Sequence, residues 1–234
     1  MALRKFVLQK LNRPNRGAFV VLAVALLASL VIYPQMYVLG VPLIVAQLLS
    51  RLTIVCALFA AFPPRRWFLG ALAVLCLATV INCVSSGQGA RETTLWLEIG
   101  VLVYVIARIM AFVFRGGISV NAIFAGVCVY LLIGRVFGLT FILLSAWQGH
   151  SVLLDADGRY ASQEETFYFS YTALTTTGFG DIRPATVAAR SLTIVEALTG
   201  QLYLVLLLGR LVGLHVSQSE KEKREPGPEN GQNC

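Results

Sequence analysis

The stretch Thr175-Thr176-Thr177-Gly178-Phe179-Gly180-Asp181 holds the residues of this 234-residue chain whose types and spacing could act on an ion. An alkali cation such as potassium gives up its water only if other oxygens replace the hydration shell. A strand whose backbone carbonyls all face one axis supplies them. Such a strand alternates left- and right-handed backbone angles. Glycine reaches positive φ without steric cost, so Gly178 and Gly180 let the strand form, while Thr176 adds a hydroxyl at its inner end. The plainer reading of the same letters is a polar Thr/Gly loop between helices.

The flanking sequence provides what such a strand needs. Ser162-Gln163-Glu164-Glu165 has the form of a capping box, in which a serine hydroxyl and a glutamate carboxylate satisfy free amides at a helix start. The helix it predicts runs to about Leu174, roughly 18 Å, enough to enter a bilayer halfway and stop. Its negative carboxyl end would then favour a cation. Around it lie apolar runs near the 20 residues that cross a bilayer. They are placed at 18–36, 39–62, 67–85, 94–114, 118–147 and 186–214, with breaks at Pro34, Pro63-Pro64-Arg65-Arg66, 85–93 and Arg115-Gly116-Gly117. The second run is the most interrupted, by Pro42, Gln47, Ser50 and Arg51.

Composition agrees with a membrane protein. The chain is 57% hydrophobic and 13% charged, with a mean hydropathy of +0.73, against about a quarter charged in soluble domains. A net charge of +7 would suggest a nucleic-acid partner in a soluble protein. Here the basic residues cluster beside apolar spans and report orientation instead. The amino terminus, Arg65-Arg66, Arg115 and Lys221/Lys223/Arg224 fall on one side of six crossings, which the positive-inside rule makes the cytosol; Asp155, Asp157, Glu164, Glu165 and Asp181 fall outside. Cys56, Cys76, Cys83, Cys128 and Cys234 have no paired spacing and read as packing residues. His150 and His215 are isolated, and no nucleophile-base or metal-ligand spacing suggests an enzyme or an organic cofactor.

Residues Thr172 to Asp181 resemble the pore signature of tetrameric potassium channels, with Gly-Phe-Gly where Gly-Tyr-Gly is commoner. The resemblance continues through Pro184, Arg190 and Gly200 to Arg210-Leu211-Val212-Gly213-Leu214, in the manner of small bacterial channels that join one pore to several preceding helices. It covers about the last hundred residues. It implies an all-α membrane protein of six transmembrane helices plus a re-entrant pore helix and filter, assembled as a homotetramer among membrane lipids. The expected parts are a cytosolic basic arm at 1–17, a four-helix transmembrane domain at 18–115, a pore domain at 116–216 and a flexible cytosolic tail at 217–234. Potassium would sit at Thr176, Thr177, Gly178 and Phe179, with Thr175 and Gly180 supporting the strand and Asp181 closing the outer mouth. Neither nucleic acid nor a small-molecule substrate is implied. The expected location is the plasma membrane, with both termini cytosolic.

Two departures from the pattern concern support for the filter. Thr177 stands where Val or Ile is common, and its hydroxyl must find a partner behind the strand; Phe179 cannot donate a phenolic hydrogen bond. A loosened filter would give a non-selective cation channel, the alternative reading. Ala197, Gln201, Leu204, Leu208 and Val212 recur at helical spacing and are assigned to the cavity stripe, with Gly200 as a hinge or a packing position. Gly209-x-x-x-Gly213 suits a close helix crossing. Arg135 and Glu196 differ in depth by only roughly 3 Å and are expected to pair behind the filter. The fourth span offers Arg108, with Arg115 at its end, too little charge for a conventional voltage sensor, so weak voltage dependence is expected. Arg51 and Glu98 are expected to stabilise the bundle. A secondary transporter would show repeated halves, which are not found. A non-conducting accessory subunit sits poorly with an intact filter sequence.

Overall fold

Helix α3 is the element on which the others pack. The computed structural model describes residues 17–38, 51, 53–58, 87–115 and 119–224. Its elements in chain order are α1 (Ala18–Val38), α2 (Gln88–Arg115), α3 (Val120–Gln148), β1 (Leu153–Asp155), α4 (Gln163–Leu174), β2 (Ile182–Pro184) and α5 (Val187–Arg224). Residues 51 and 53–58 are also helical. Gly89–Phe114, Val120–Gln148 and Val187–Gly213 are long and apolar enough to cross a membrane, and Ala18–Ile32 is a shorter apolar helix. The expected spans at 94–114, 118–147 and 186–214 are therefore present as helices, and the one at 18–36 lies within α1. The span at 67–85 lies outside the described residues, as does most of the one at 39–62.

The α3 span is 67% buried, whereas those of α2 and α5 are 28% and 22% buried and leave long apolar faces open. Val129, Leu132, Leu139 and Ile142 of α3 meet Phe19, Leu22 and Leu26 of α1 and Leu102, Val105 and Ile109 of α2. Lipid tails are as apolar as leucine, so association inside a bilayer depends on close packing and interhelical hydrogen bonds instead of water exclusion. Both are present. A Cβ on Gly134 would lie 2.6 Å from the Tyr171 ring, and one on Gly138 would lie 2.5 Å from Phe167, so α4 rests directly on the α3 backbone. Tyr171 donates to the Leu131 carbonyl at 2.8 Å, Tyr203 to that of Gly126 at 2.7 Å and Tyr130 to that of Leu174 at 3.2 Å.

Charged groups in the bundle are paired across helices. Arg51 Nη2 lies 3.8 Å from Glu98 Oε1 on α2, which brings together the two residues expected to stabilise the bundle. At the far end of α2, Arg210 of α5 donates to the Phe114 carbonyl at 2.7 Å, and its guanidinium sits 5.2 Å from the centre of the Phe114 ring. That carbonyl belongs to the last turn of α2, where no intrahelical donor remains, and the helix dipole there favours a cation. At the opposite ends of α2 and α3, Trp96 and Trp147 pack with centroids 5.8 Å apart, as indoles do at a membrane interface.

A two-stranded sheet was not anticipated from the sequence. β1 and β2 pair antiparallel with Leu153 opposite Pro184, Leu154 opposite Arg183 and Asp155 opposite Ile182. Val152, Leu153 and Ile182 turn inward onto Phe141, Ala161, Phe169 and Ala189, forming a second small core. The sheet joins the chain that precedes α4 to the chain that follows Asp181, so the loop between α4 and α5 is anchored on both sides.

Among the described glycines, Gly200 leaves the least room for a side chain. A Cβ there would collide with the Leu174 carbonyl oxygen at the end of α4 and approach Leu174 Cδ1 at 3.0 Å. Gly200→Ala is therefore expected to lower stability by about 1–3 kcal/mol through overpacking. Gly100→Ala, on an open face of α2, gains helix propensity and is expected to be neutral or stabilising. Thermal melting of the two variants in detergent checks the contrast.

Candidate functional site

α4 starts where its capping box places it. Ser162 Oγ accepts from the Glu165 amide at 3.3 Å, and Glu165 Oε2 accepts from the Ser162 amide at 2.6 Å. Glu165 Oε1 also receives Arg159 Nη2 at 2.6 Å, while Arg159 Nε lies 2.9 Å from Asp155 Oδ2 at the end of β1. One arginine thus ties the sheet to the helix start. The 12 residues of α4 rise about 18 Å and end at Leu174, with Thr175 as the C-cap.

Beyond Leu174 the amides turn back. Thr176 N donates to the Ala173 carbonyl at 2.9 Å, Thr177 N to that of Thr172 at 2.9 Å and Gly178 N to the same oxygen at 3.3 Å. A trans peptide places its N–H and C=O on opposite sides, and no cis bond is present among the described residues. The carbonyls of Thr175, Thr176 and Thr177 therefore point away from α4. Positive φ recurs at Thr176 (57°), Gly178 (53°) and Gly180 (82°), every second residue, which is the alternation that stacks successive carbonyls in one direction. The sequence identifies the two glycines. It does not identify Thr176, a β-branched residue in a left-handed conformation that costs of order 1–3 kcal/mol and persists only when its surroundings hold it.

Side chains do hold it. Thr176 Oγ1 donates to the Thr175 carbonyl at 2.7 Å and accepts from Gln201 Nε2 of α5 at 3.2 Å. The hydroxyl of Thr177 finds the partner it needs in Thr175 Oγ1, 2.9 Å away, and Thr175 Oγ1 in turn donates to the Tyr171 carbonyl at 2.7 Å. At the other end, Asp181 Oδ1 accepts from the Ile182 amide at 3.0 Å and Oδ2 from the Tyr168 hydroxyl at 2.9 Å. Tyr168 was not singled out in the sequence; thirteen residues separate it from its partner. Phe179 is 70% exposed. The whole run 175–181 is open along one side of the chain.

On α5, the Gln201 bond fixes which side faces this strand. Ala197 and Leu204, one helical turn away on either side, flank it half-buried, and Leu208 and Val212 continue the stripe at 59% and 62% exposure. Gly200, read as a hinge or a packing position, lies against Leu174. A Cβ on Gly209 or Gly213 would have no neighbour within 4 Å among the described residues.

The expected Arg135–Glu196 pair has different partners. Glu196 is fully buried, and its Oε1 accepts from the Ser170 hydroxyl of α4 at 2.5 Å; Ser170 Oγ also lies 2.7 Å from the Gly134 carbonyl. Arg135 directs its guanidinium over the Phe167 ring, 5.6 Å from the centroid, on the neighbouring turn of α4. Similar depth placed both residues against the same short helix. Direction around α3 and α5 then gave each its own contact.

Residues 118–215 match the family model described as "Ion channel". The match begins just before α3 and ends within α5, so it takes in the strand, α4 and both long helices around them. Comparisons with curated proteins and with solved structures give no match. Residues 118–215 are thus similar to an ion-channel domain and hold two of the three helices that, among the described residues, are fit to cross a membrane.

Burial pushes the Glu165 carboxyl upward, but the hydrogen bonds from Arg159 and from the Ser162 amide outweigh it and hold the group below its ordinary value of 4.5. A depressed folded-state pKa contributes stability that is present above the unfolded value and lost as pH falls through the folded one. The melting difference between wild type and Glu165→Gln is therefore expected to be constant near neutral pH and to shrink below about pH 4.5, as followed by thermal denaturation across that range.

Proposed function

We propose that this chain is one subunit of a homotetrameric potassium-selective channel, in which four copies of Thr175 to Gly180 surround one axis and conduct passively. The observation that carries the reading is the reversal of the Thr176, Thr177 and Gly178 amides onto the end of α4, which turns the carbonyls of Thr175, Thr176 and Thr177 outward. A dehydrated cation must be surrounded, and one strand reaches it from one side. The open face of the strand and the apolar face of α5, including Ile194, Leu198, Leu202 and Val205, are where neighbouring subunits would fit. Potassium would occupy sites at Thr176, Thr177, Gly178 and Phe179, below an outer mouth held by Asp181.

In this reading α4 is the pore helix, α3 and α5 are the outer and inner helices, and residues 18–115 form a four-helix domain that completes six crossings. Both termini lie in the cytosol of a cell whose plasma membrane holds the protein. The alternation of Thr-Gly and the anchored Asp181 favour selectivity, and the Thr175–Thr177 hydroxyl pair answers the concern raised by a polar residue at 177. Arg91, Arg108 and Arg115 on α2 are too few and too widely spaced for a steep voltage response, so conductance would vary weakly with voltage. No organic cofactor enters the scheme.

The test is a reversal potential, measured on purified protein in liposomes with potassium on one side and sodium on the other. A value near the potassium equilibrium potential is expected. Gly178→Ala forces a side chain into the left-handed region in each of four subunits, at about 1–2 kcal/mol per residue, and is expected to abolish the selective current. A reversal potential near zero with sustained current means a non-selective cation channel. Absence of current together with co-purification of a different pore subunit means an accessory chain.

A further inference from the structure

The Gln201–Thr176 contact joins the inner helix to the one left-handed threonine of the strand. We infer that Gln201 is a positioning residue for the innermost cation site, acting by holding the Thr176 hydroxyl, an inference that rests on the channel reading above. A threonine hydroxyl has one hydrogen and two lone pairs. Its hydrogen is directed to the Thr175 carbonyl at 2.7 Å, and one lone pair receives Gln201 Nε2 at 3.2 Å. With both rotor positions spoken for, the remaining lone pair has a fixed direction. Thr176 is also the non-glycine residue with positive φ among those described, so its side chain, unlike those of Gly178 and Gly180, needs an external constraint.

Gln201 is well placed to supply one. It projects from a helix clamped at the adjacent Gly200, where the backbone of α5 abuts the Leu174 carbonyl. Its amide is therefore carried by a part of α5 that cannot shift relative to the end of α4. Gln201 does not touch the cation in this scheme; its amide acts through the threonine. Around a fourfold axis, the four amides would brace four hydroxyls at the inner entrance, and the ion site there would be preorganised by a ring of side chains outside the strand itself.

The probe is barium, a divalent ion of nearly potassium's size, applied from the cytosolic side to channels in planar bilayers. Gln201→Leu removes the donor. Gln201→Asn keeps a polar amide but is one methylene shorter, by about 1.5 Å, and cannot reach. Both are expected to weaken internal barium block about fivefold to tenfold, the factor that one hydrogen bond is worth. In a Thr176→Ala background, Gln201→Leu is expected to have no further effect, since the group it acts through is gone. Full wild-type block in Gln201→Asn, an undiminished Gln201→Leu effect on top of Thr176→Ala, or a wild type indifferent to internal barium each overturns the inference. If Thr176→Ala does not assemble, the comparison of leucine with asparagine decides. A wild type that passes no potassium current contradicts the channel reading itself, a separate and earlier failure.

Discussion

Everything at the site depends on where three amide hydrogens go. Once Thr176, Thr177 and Gly178 donate back to the carbonyls of Thr172 and Ala173, the planar trans peptide leaves the preceding carbonyls no choice but to face the other way. The last carbonyls of a helix have no intrahelical donors of their own, so the end of α4 supplies acceptors at the point where the strand must be turned. The donors and acceptors satisfy each other, and the strand presents a row of oxygens as a by-product of closing a helix. A row of oxygens on one chain reaches a cation from one side only, which is why the proposed function calls for several copies.

The rest of the fold keeps the end of α4 in place. α3 offers glycines at 134 and 138, so α4 can press its aromatic residues against bare backbone, and Ser170 and Tyr171 fasten it to α3 carbonyls. α5 closes from the other side at Gly200, directly against Leu174. The Arg159 bridge and the short sheet hold the outer end of the loop. Within a bilayer these are the available forces, because hydrophobic burial does not distinguish protein from lipid. Among the described residues, charge in the interior is placed sparingly: Glu196 on Ser170, Arg135 over Phe167, Arg51 beside Glu98.

The sequence made the local features legible. A capping box is written in four consecutive residues, and the α4 start followed from Ser162 and Glu165. Gly178 and Gly180 announce positive φ because glycine is the residue that adopts it freely. Thr176 adopts the same geometry without announcing it, since its side chain is held in part by a hydrogen bond from a residue twenty-five positions away. The three-residue strands carry too little pattern to be read, and their pairing spans the whole of α4. Depth along a helix can be counted, which is why Arg135 and Glu196 were placed at one level. Azimuth depends on how α3 and α5 roll against α4, and that is decided by Gly134, Gly138 and Gly200 together. Gly200 was legible as special, as a hinge or a packing position, and its contact with Leu174 is a packing one.

The most direct test of the account is anomalous scattering from thallium, a potassium surrogate, in crystals of the assembled protein. The account predicts a column of peaks on a fourfold axis at the level of Thr176 to Phe179 from four chains. An assembly in which these carbonyls face lipid, or a fourfold axis with no thallium between the strands, would contradict it.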